Sequence, residues 1–396
     1  MYNAVVSARS HPDSVRPVRA LYNKRSFENL SSVCNVNLDV VSPRPHAPPV
    51  GPYSEYRKIP QQYEWSEYTT HHPRFVYFFP RNVALSTLTP ISFRRAVGKY
   101  AEENFEVPDV VHAGHIFLDG YGMIPYCKDH DLPLFVMGRG ATLNDYPDMS
   151  NKRQEMVAET LQFSSGIICV SEALAKRAQR IVSDPTKVHV VANGENPDFY
   201  PESQREEIRK ELNIPREDNL VLFVGEFVER KGLKEMIKVL SMVDLPNTHF
   251  IFVGQTGGLR SELRDTILSA NIGHESKILW RMPPLALRRL YTAADLVWLP
   301  SRAEGRPNVI YEAMASKTPV LATSIGGVTE QVEHERTGVL VPPKDPGSLK
   351  RQLEYLLSDD MDLESMGEKG YERLLDKGWT WENHAKKIAK LHKEEI

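Results

Sequence analysis

Two carboxylates, Glu304 and Glu312, stand with seven residues between them in the stretch SRAEGRPNVIYEAMAS, Ser301–Ser316, and a Gly-x-Pro turn lies in that interval. Pro307 suits the first position of a helix, where its missing N–H costs nothing. From Asn308 the residues favour a helix, with Ile310, Ala313 and Met314 at core-facing spacing. The amides of Asn308 and Val309 would then open the helix N-terminus, which is a ready anion site. Glu312, one turn on, can accept two hydrogen bonds from a vicinal diol such as a ribose, and Glu304 can hold a second polyol. An anion cradle flanked by two hydroxyl acceptors suits a nucleoside diphosphate sugar.

A second cluster lies upstream. An apolar strand at 219–224 runs into GEFVERKG, and a helix follows with Leu233, Met236, Ile237 and Leu240 at i, i+3, i+4 and i+7. Arg230 and Lys231 are thereby delivered to the carboxyl end of a parallel strand, where open α/β sheets bind ligands. Two cations there can neutralise a diphosphate leaving group.

The bland reading of Ser301–Ser316 alone is a strand, a loop and a helix with surface glutamates. Its flanks, RRLYTAADLVWLPS before and KTPVLATSIGGVTEQVEHERTGVLVPP after, decide otherwise. In that order they resemble the retaining family 4 (group 1) nucleotide-sugar glycosyltransferases, closely over about residues 219–343 and more weakly over the N-terminal half. The resemblance implies two Rossmann-like α/β domains facing across a cleft, the GT-B fold. It implies a catalytic set of Arg230, Lys231, Glu304 and Arg139. The donor would be bound by Gly225, Arg281, Met282, Gly305, Arg306, Pro307, Asn308, Val309, Glu312, Gly326 and Gly327. Within that set the backbone near Arg281–Met282 borders the base, and the glycine pair of SIGG lets the chain approach sugar or phosphate. No metal or other cofactor is expected.

The chain also departs from the family pattern. Where relatives often place Arg after the glycine of the first donor-side loop, this chain has Glu226. In GRGATLND, Arg139 and Gly140 match, but Ala141-Thr142 replaces a small residue followed by Asp. The first loop, SARSHPDSVRP, lacks the usual glycines, and Arg9, His11 and Arg16 are placed to bind an anionic acceptor with side chains instead. His112 and His115 follow a strand on the same acceptor side and are candidate bases.

The elements that must position these groups alternate as strands and helices. Strands are expected at 2–7, 37–41, 75–79, 109–112, 134–137, 166–170 and 187–192 in the first half. Those of the second half lie at 219–224, 249–253, 277–280, 319–323 and 338–341. Helices are expected around 18–30, at 91–105 with the basic face Arg94, Arg95 and Lys99, and at 379–394 with Trp381, Ala385, Ile388 and Leu391 on one side. The proline-rich segment 42–60 is a loop, GQTGG after 253 is a flexible one, and residues 193–201 form the linker. The domains are therefore 1–195, joined by the final helix 379–396, and 196–378.

At 396 residues, 41% hydrophobic and 26% charged, the chain is an ordinary globular one. A net charge of −3 gives no positive field for nucleic acid. Three scattered cysteines, Cys34, Cys127 and Cys169, read as reduced thiols of a cytoplasmic protein. No apolar run reaches membrane-spanning length, which leaves peripheral contact with the inner membrane face open. No G-x-G-x-x-G follows an early strand, so a Rossmann dehydrogenase is disfavoured, and no P-loop or zinc-ligand cluster occurs. The expected partners are a UDP- or GDP-sugar donor and a saccharide or lipid-linked acceptor of cell-surface polysaccharide synthesis. A non-catalytic GT-B relative that binds a sugar nucleotide as a partner subunit, and a sugar-nucleotide epimerase on the same fold, are the alternatives.

Overall fold

The computed structural model describes residues 1–46, 54–77, 88–200, 204–255, 257–358 and 360–396. The middle of the proline-rich loop, the end of the strand expected at 75–79, Pro201 of the linker and Thr256 of GQTGG lie outside the described residues. The chain forms two compact units, one of Met1–Asn193 with Trp381–Ile396, the other of Gly194–Thr380.

The first unit is built on an eight-stranded sheet. Its strands are β1 (Tyr2–Ser7), β2 (Val36–Val41), β3 (Gln62–Glu64), β4 (Thr69–His71), β5 (Val110–Ala113), β6 (Leu134–Gly138), β7 (Gly166–Cys169) and β8 (Val188–Val190). They are ordered β8-β7-β6-β5-β1-β2-β4-β3, and all pairs are parallel except β3–β4. The near-continuous apolar runs of β1, β5, β6 and β7 follow from burial on both faces of a parallel sheet. Helix α1 (Leu21–Cys34) begins later than its periodicity suggests, because Ala20 takes the left-handed conformation ahead of it. Asn35, also left-handed, closes the helix by returning its N–H to the Leu30 carbonyl.

The C-terminal helix Trp381–Glu395 packs on α1 within this unit and buries Trp381, Ala385, Ile388 and Ala389. Its histidines are buried too. His392 bonds the Tyr2 hydroxyl at 2.8 Å and, through Nε2, His112 Nδ1 at 3.1 Å. His384 donates from Nδ1 to the Ala192 carbonyl at 2.9 Å, so its Nε2 accepts from Ser26 Oγ at 3.0 Å. Burial holds His384 and His392 at about 3 and pushes His112 down as well.

The second unit carries a six-stranded, wholly parallel sheet: β9 (Asn219–Val224), β10 (Thr248–Gly254), β11 (Lys277–Trp280), β12 (Leu296–Leu299), β13 (Val320–Thr323) and β14 (Gly338–Val341). The order is β11-β10-β9-β12-β13-β14, so β9 and β12 are hydrogen-bonded neighbours. Helix α2 (Leu233–Leu240) buries Leu233, Met236, Val239 and Leu240 against this sheet; helix α3 (Asn308–Ala315) follows β12. Among the described residues no helix is long and apolar enough to cross a membrane.

The buried histidines make a pH prediction. Unfolded histidine binds a proton near pH 6.5, while His384 and His392 in the fold resist it until about 3. The unfolded state therefore binds more protons in this window, and stability falls as pH drops from 6.5 towards 4, by roughly 1.4 kcal/mol per pH unit per histidine. Scanning calorimetry should show the melting temperature declining over that range and a shallower decline in His392→Phe. A flat profile would refute it.

Candidate active site

The loops after β9 and β12 meet because their strands are adjacent. After β9 the chain passes Gly225, whose N–H bonds the Val253 carbonyl at 2.9 Å, and makes a 3-10 turn at Glu229–Lys231. Gly232 follows at φ +75°, and a Cβ there would lie 1.9 Å from the Pro300 carbonyl oxygen. That close approach sets Lys231 beside the second loop. Lys231 Nζ lies 2.5 Å from Glu304 Oε1, and Ser301 Oγ donates to the same oxygen at 2.7 Å. Both side chains are largely covered, Glu304 being 8% and Lys231 14% exposed, so the pair is drier than a surface salt bridge.

Arg230 is exposed by comparison. Its Nη1 donates to the Ala303 carbonyl at 3.3 Å, and its Nη2 lies 3.6 Å from Glu226 Oε2. Glu226 is thus the ion partner of one of the two expected phosphate ligands.

Helix α3 starts at Asn308, and Pro307 is its N-cap in extended conformation, not its first helical residue. Ile310 N–H returns to the Pro307 carbonyl at 3.3 Å, which places the amides of Asn308 and Val309 in the first turn. Glu312, a turn on, accepts the Tyr291 hydroxyl on Oε2 at 2.8 Å. Burial and the neighbouring Glu312 charge push the Tyr291 hydroxyl pKa well up, so it remains a donor. Glu304 is thus anchored by Lys231 and Ser301, and Glu312 by Tyr291.

Residues at three expected donor contacts also have partners within the protein. Arg306 is buried: its Nη1 binds Glu330 at 3.1 Å and its guanidinium lies 4.7 Å from the Trp379 ring, so its charge serves the fold. Gly326, at φ +41°, brings a would-be Cβ within 2.6 Å of the Glu304 carbonyl oxygen, and Gly327 N–H bonds the Gly305 carbonyl at 3.0 Å. Gly326 admits the Glu304–Gly305 backbone, and the Gly327 amide holds it. Arg281 is left-handed at φ +52° and spends its N–H on the Gly254 carbonyl at 3.0 Å, so a base contact at this turn falls to its carbonyl or to Met282.

The first unit holds the residues expected on the acceptor side. Asp119, buried, accepts the Arg9 main-chain N–H at 2.7 Å and faces His115 Nδ1 at 3.2 Å. With Nδ1–H donated to the carboxylate, His115 Nε2 accepts from the Tyr22 hydroxyl at 3.4 Å. Burial lowers the His115 pKa despite Asp119, which raises it. Arg139 stacks over the Tyr22 ring at 4.8 Å and donates to Asn193 Oδ1 at 3.2 Å; burial draws its pKa down to about 10.

The basic first loop is organised otherwise than its charges suggest. Fully buried Arg44 binds Asp13 at 3.0 Å and the carbonyls of Arg9 and His11, both at 3.0 Å, fixing the loop from beneath. His11 is buried, bonds Tyr68 at 2.9 Å and is held at about 3, so it brings no charge to the loop at neutral pH; Arg16 lies 4.6 Å over the Tyr56 ring. His112, locked to His392 in the core, is excluded as a base.

The sequence reading missed Tyr291, Ser301, Asp119, Tyr22 and Arg44. Ser301–Glu304 and His115–Asp119 at i, i+3 and i, i+4 were visible as spacings; the rest are tertiary neighbours.

Comparison with known proteins shows the family. The model of the glycosyl transferases group 1 matches residues 204–373, and that of glycosyltransferase family 4 matches residues 36–199. The D-inositol 3-phosphate glycosyltransferase of Corynebacterium aurimucosum is 31% identical over 70% of this chain and 70% of its own length. The chain belongs to the group 1 glycosyltransferases.

This glycosyltransferase is also 30% identical to the uncharacterized glycosyltransferase MJ1607 of Methanocaldococcus jannaschii, over 63% of this chain and 65% of that protein's length. It is 27% identical to Bacillus subtilis TuaC, named for teichuronic acid biosynthesis, over 87% of this chain and 86% of TuaC. Anabaena HepE, solved with UDP-glucose, shares its fold with a TM-score of 0.74 at 18% identity, covering all of both chains. The fold is GT-B, with two Rossmann-like domains.

Gly232→Ala tests the contact that brings the loops together. The left-handed backbone and the clash with Pro300 should cost more than about 2 kcal/mol in urea unfolding. An unchanged midpoint would show that the loops do not depend on this approach.

Proposed function

We propose that this enzyme transfers a sugar from a UDP- or GDP-sugar to a saccharide or lipid-linked acceptor, with retention at the anomeric carbon and without a metal. The observation that carries the reading is the covered Lys231–Glu304 pair at the ends of neighbouring parallel strands, with Arg230 beside it and the start of α3 following. Lys231, Arg230 and the amides of Asn308 and Val309 receive the diphosphate. Glu312, oriented by Tyr291, takes the ribose hydroxyls, and Glu304 holds hydroxyls of the donor sugar. The base lies against the turn at Arg281–Met282.

As the bond from the anomeric carbon to the phosphate oxygen breaks, charge gathers on the diphosphate and Lys231 stabilises it. The acceptor hydroxyl attacks from the same face, and its proton passes to the departing phosphate oxygen. His115, Arg139 and the first loop with Arg9 and Arg16 serve the acceptor side. The similarity to TuaC, named for teichuronic acid biosynthesis, over 87% of this chain supports the cell-surface polysaccharide part of this reading; the cytoplasmic side with peripheral membrane contact is proposed with it. HepE's complex with UDP-glucose supports a uridine donor first.

A thermal-shift screen with UDP, GDP, ADP and their sugars names the base, since ligand at ~100 times Kd stabilises by roughly 2.7 kcal/mol. The donor so identified should turn over in EDTA as it does with Mg²⁺; dependence on the metal would overturn that part of the reading. Lys231→Ala should lower kcat by about a hundredfold or more, and unchanged turnover would remove Lys231 from the chemistry. Glu312→Ala should mainly weaken donor binding, so a normal donor affinity in that variant would refute the ribose role.

A further inference from the structure

The seam between the two loops holds a residue that this chemistry does not use. Arg302 donates its main-chain N–H to the Arg230 carbonyl at 2.8 Å. Its guanidinium reaches back over the same turn: Nε and Nη2 lie 2.9 and 2.7 Å from Glu235 Oε1, and Nη1 binds Glu229 Oε1. These two carboxylates bracket Arg230 and Lys231 in the chain, Glu229 just before them and Glu235 in the first turn of α2. Glu235 is 5% exposed and its Oε2 is buried with no hydrogen-bond partner, so Arg302 is the charge that makes its burial tolerable. Glu229 is also tied to Lys234 at 2.9 Å, and the two cations hold its carboxyl below the usual range.

We infer that Arg302 is a positioning residue that clamps the Arg230–Lys231 turn for the β-phosphate of the nucleotide; this rests on the donor-site reading above. Two adjacent cations repel each other, and their turn is a short 3-10 segment ending in a left-handed glycine. Unclamped, they would spread, and binding would bear the cost of gathering them. A planar fork can serve carboxylates on both sides of the turn at once. An ammonium is a point charge that reaches one of them. The clamp acts on the diphosphate contacts alone, because the ribose and base contacts proposed at Glu312 and Arg281–Met282 lie outside it.

The discriminating readout is therefore the affinity ratio between a nucleoside diphosphate and its monophosphate. Isothermal titration of UDP against UMP, GDP against GMP and ADP against AMP is performed on the wild type, Arg302→Lys, Glu235→Gln and Lys231→Ala. The wild type should prefer one diphosphate over its monophosphate. Arg302→Lys should cut that preference by about tenfold, equivalent to about 1.4 kcal/mol, while monophosphate affinity changes by less than about threefold. Glu235→Gln should move the ratio in the same direction and serves as the probe if Arg302→Lys fails to fold. A lowered melting temperature with the ratio unchanged in Arg302→Lys and Glu235→Gln would make Arg302 merely structural and overturn the inference, provided Lys231→Ala does reduce the ratio. If Lys231→Ala leaves the ratio intact, or the wild type binds none of the three pairs, the donor-site reading itself fails and the clamp with it.

Discussion

Burying a carboxylate is costly unless a cation meets it, and in the second unit Glu304 and Lys231 meet each other. Their 2.5 Å contact depends on everything around it. β9 and β12 must be neighbours in the sheet, Gly232 must pass against Pro300, and the Gly326–Gly327 backbone must close on Glu304 and Gly305. Each of these is a close approach of main chain to main chain. Gly232 and Gly326 are there because a side chain would occupy the same space. The ion pair is therefore the visible result of a tight junction of three loops, and any phosphate that binds Lys231 shares it with Glu304.

Around this junction the charges divide into two kinds. Arg306 and Arg44 are buried and spent on Glu330 and Asp13, fixing loop shape. Arg230 is exposed and lightly held, and Lys231 is covered but tethered at one point. A group whose charge is saturated by the protein adds rigidity. A group that keeps donors for a ligand gives binding energy where the reaction needs it. Glu226 fits this division, since it meets Arg230 at 3.6 Å within the same loop.

In the first unit the groups proposed for the acceptor side form a hydrogen-bonded chain of Asp119, His115 and Tyr22 with Arg139 stacked on the ring. The carboxylate fixes the histidine tautomer, and the first loop is held by Arg44 rather than by its own flexibility. The missing glycines thus do not mean a loose loop. They mean a loop whose shape is imposed from the core beneath it.

Much of this protein was legible in the sequence. Strand-length apolar runs alternating with 3.6-periodic helices declared parallel α/β domains, because burial on both faces of a sheet forces that pattern. Local spacing likewise placed Arg230, Lys231, Glu304 and Glu312 at strand ends and a helix start. What spacing could not decide was where each charge points. Arg306 and Arg230 look alike in one dimension, yet one is buried against Trp379 and the other is exposed. His112 and His115 are three residues apart, yet one lies in the core against the C-terminal helix and the other meets Asp119. Tyr291, Arg302 and Glu235 entered the site only through the fold, since strand order brings together residues that sequence separates by dozens of positions. Burial and the partners of a charge are properties of that packing, and the tertiary structure alone determines them.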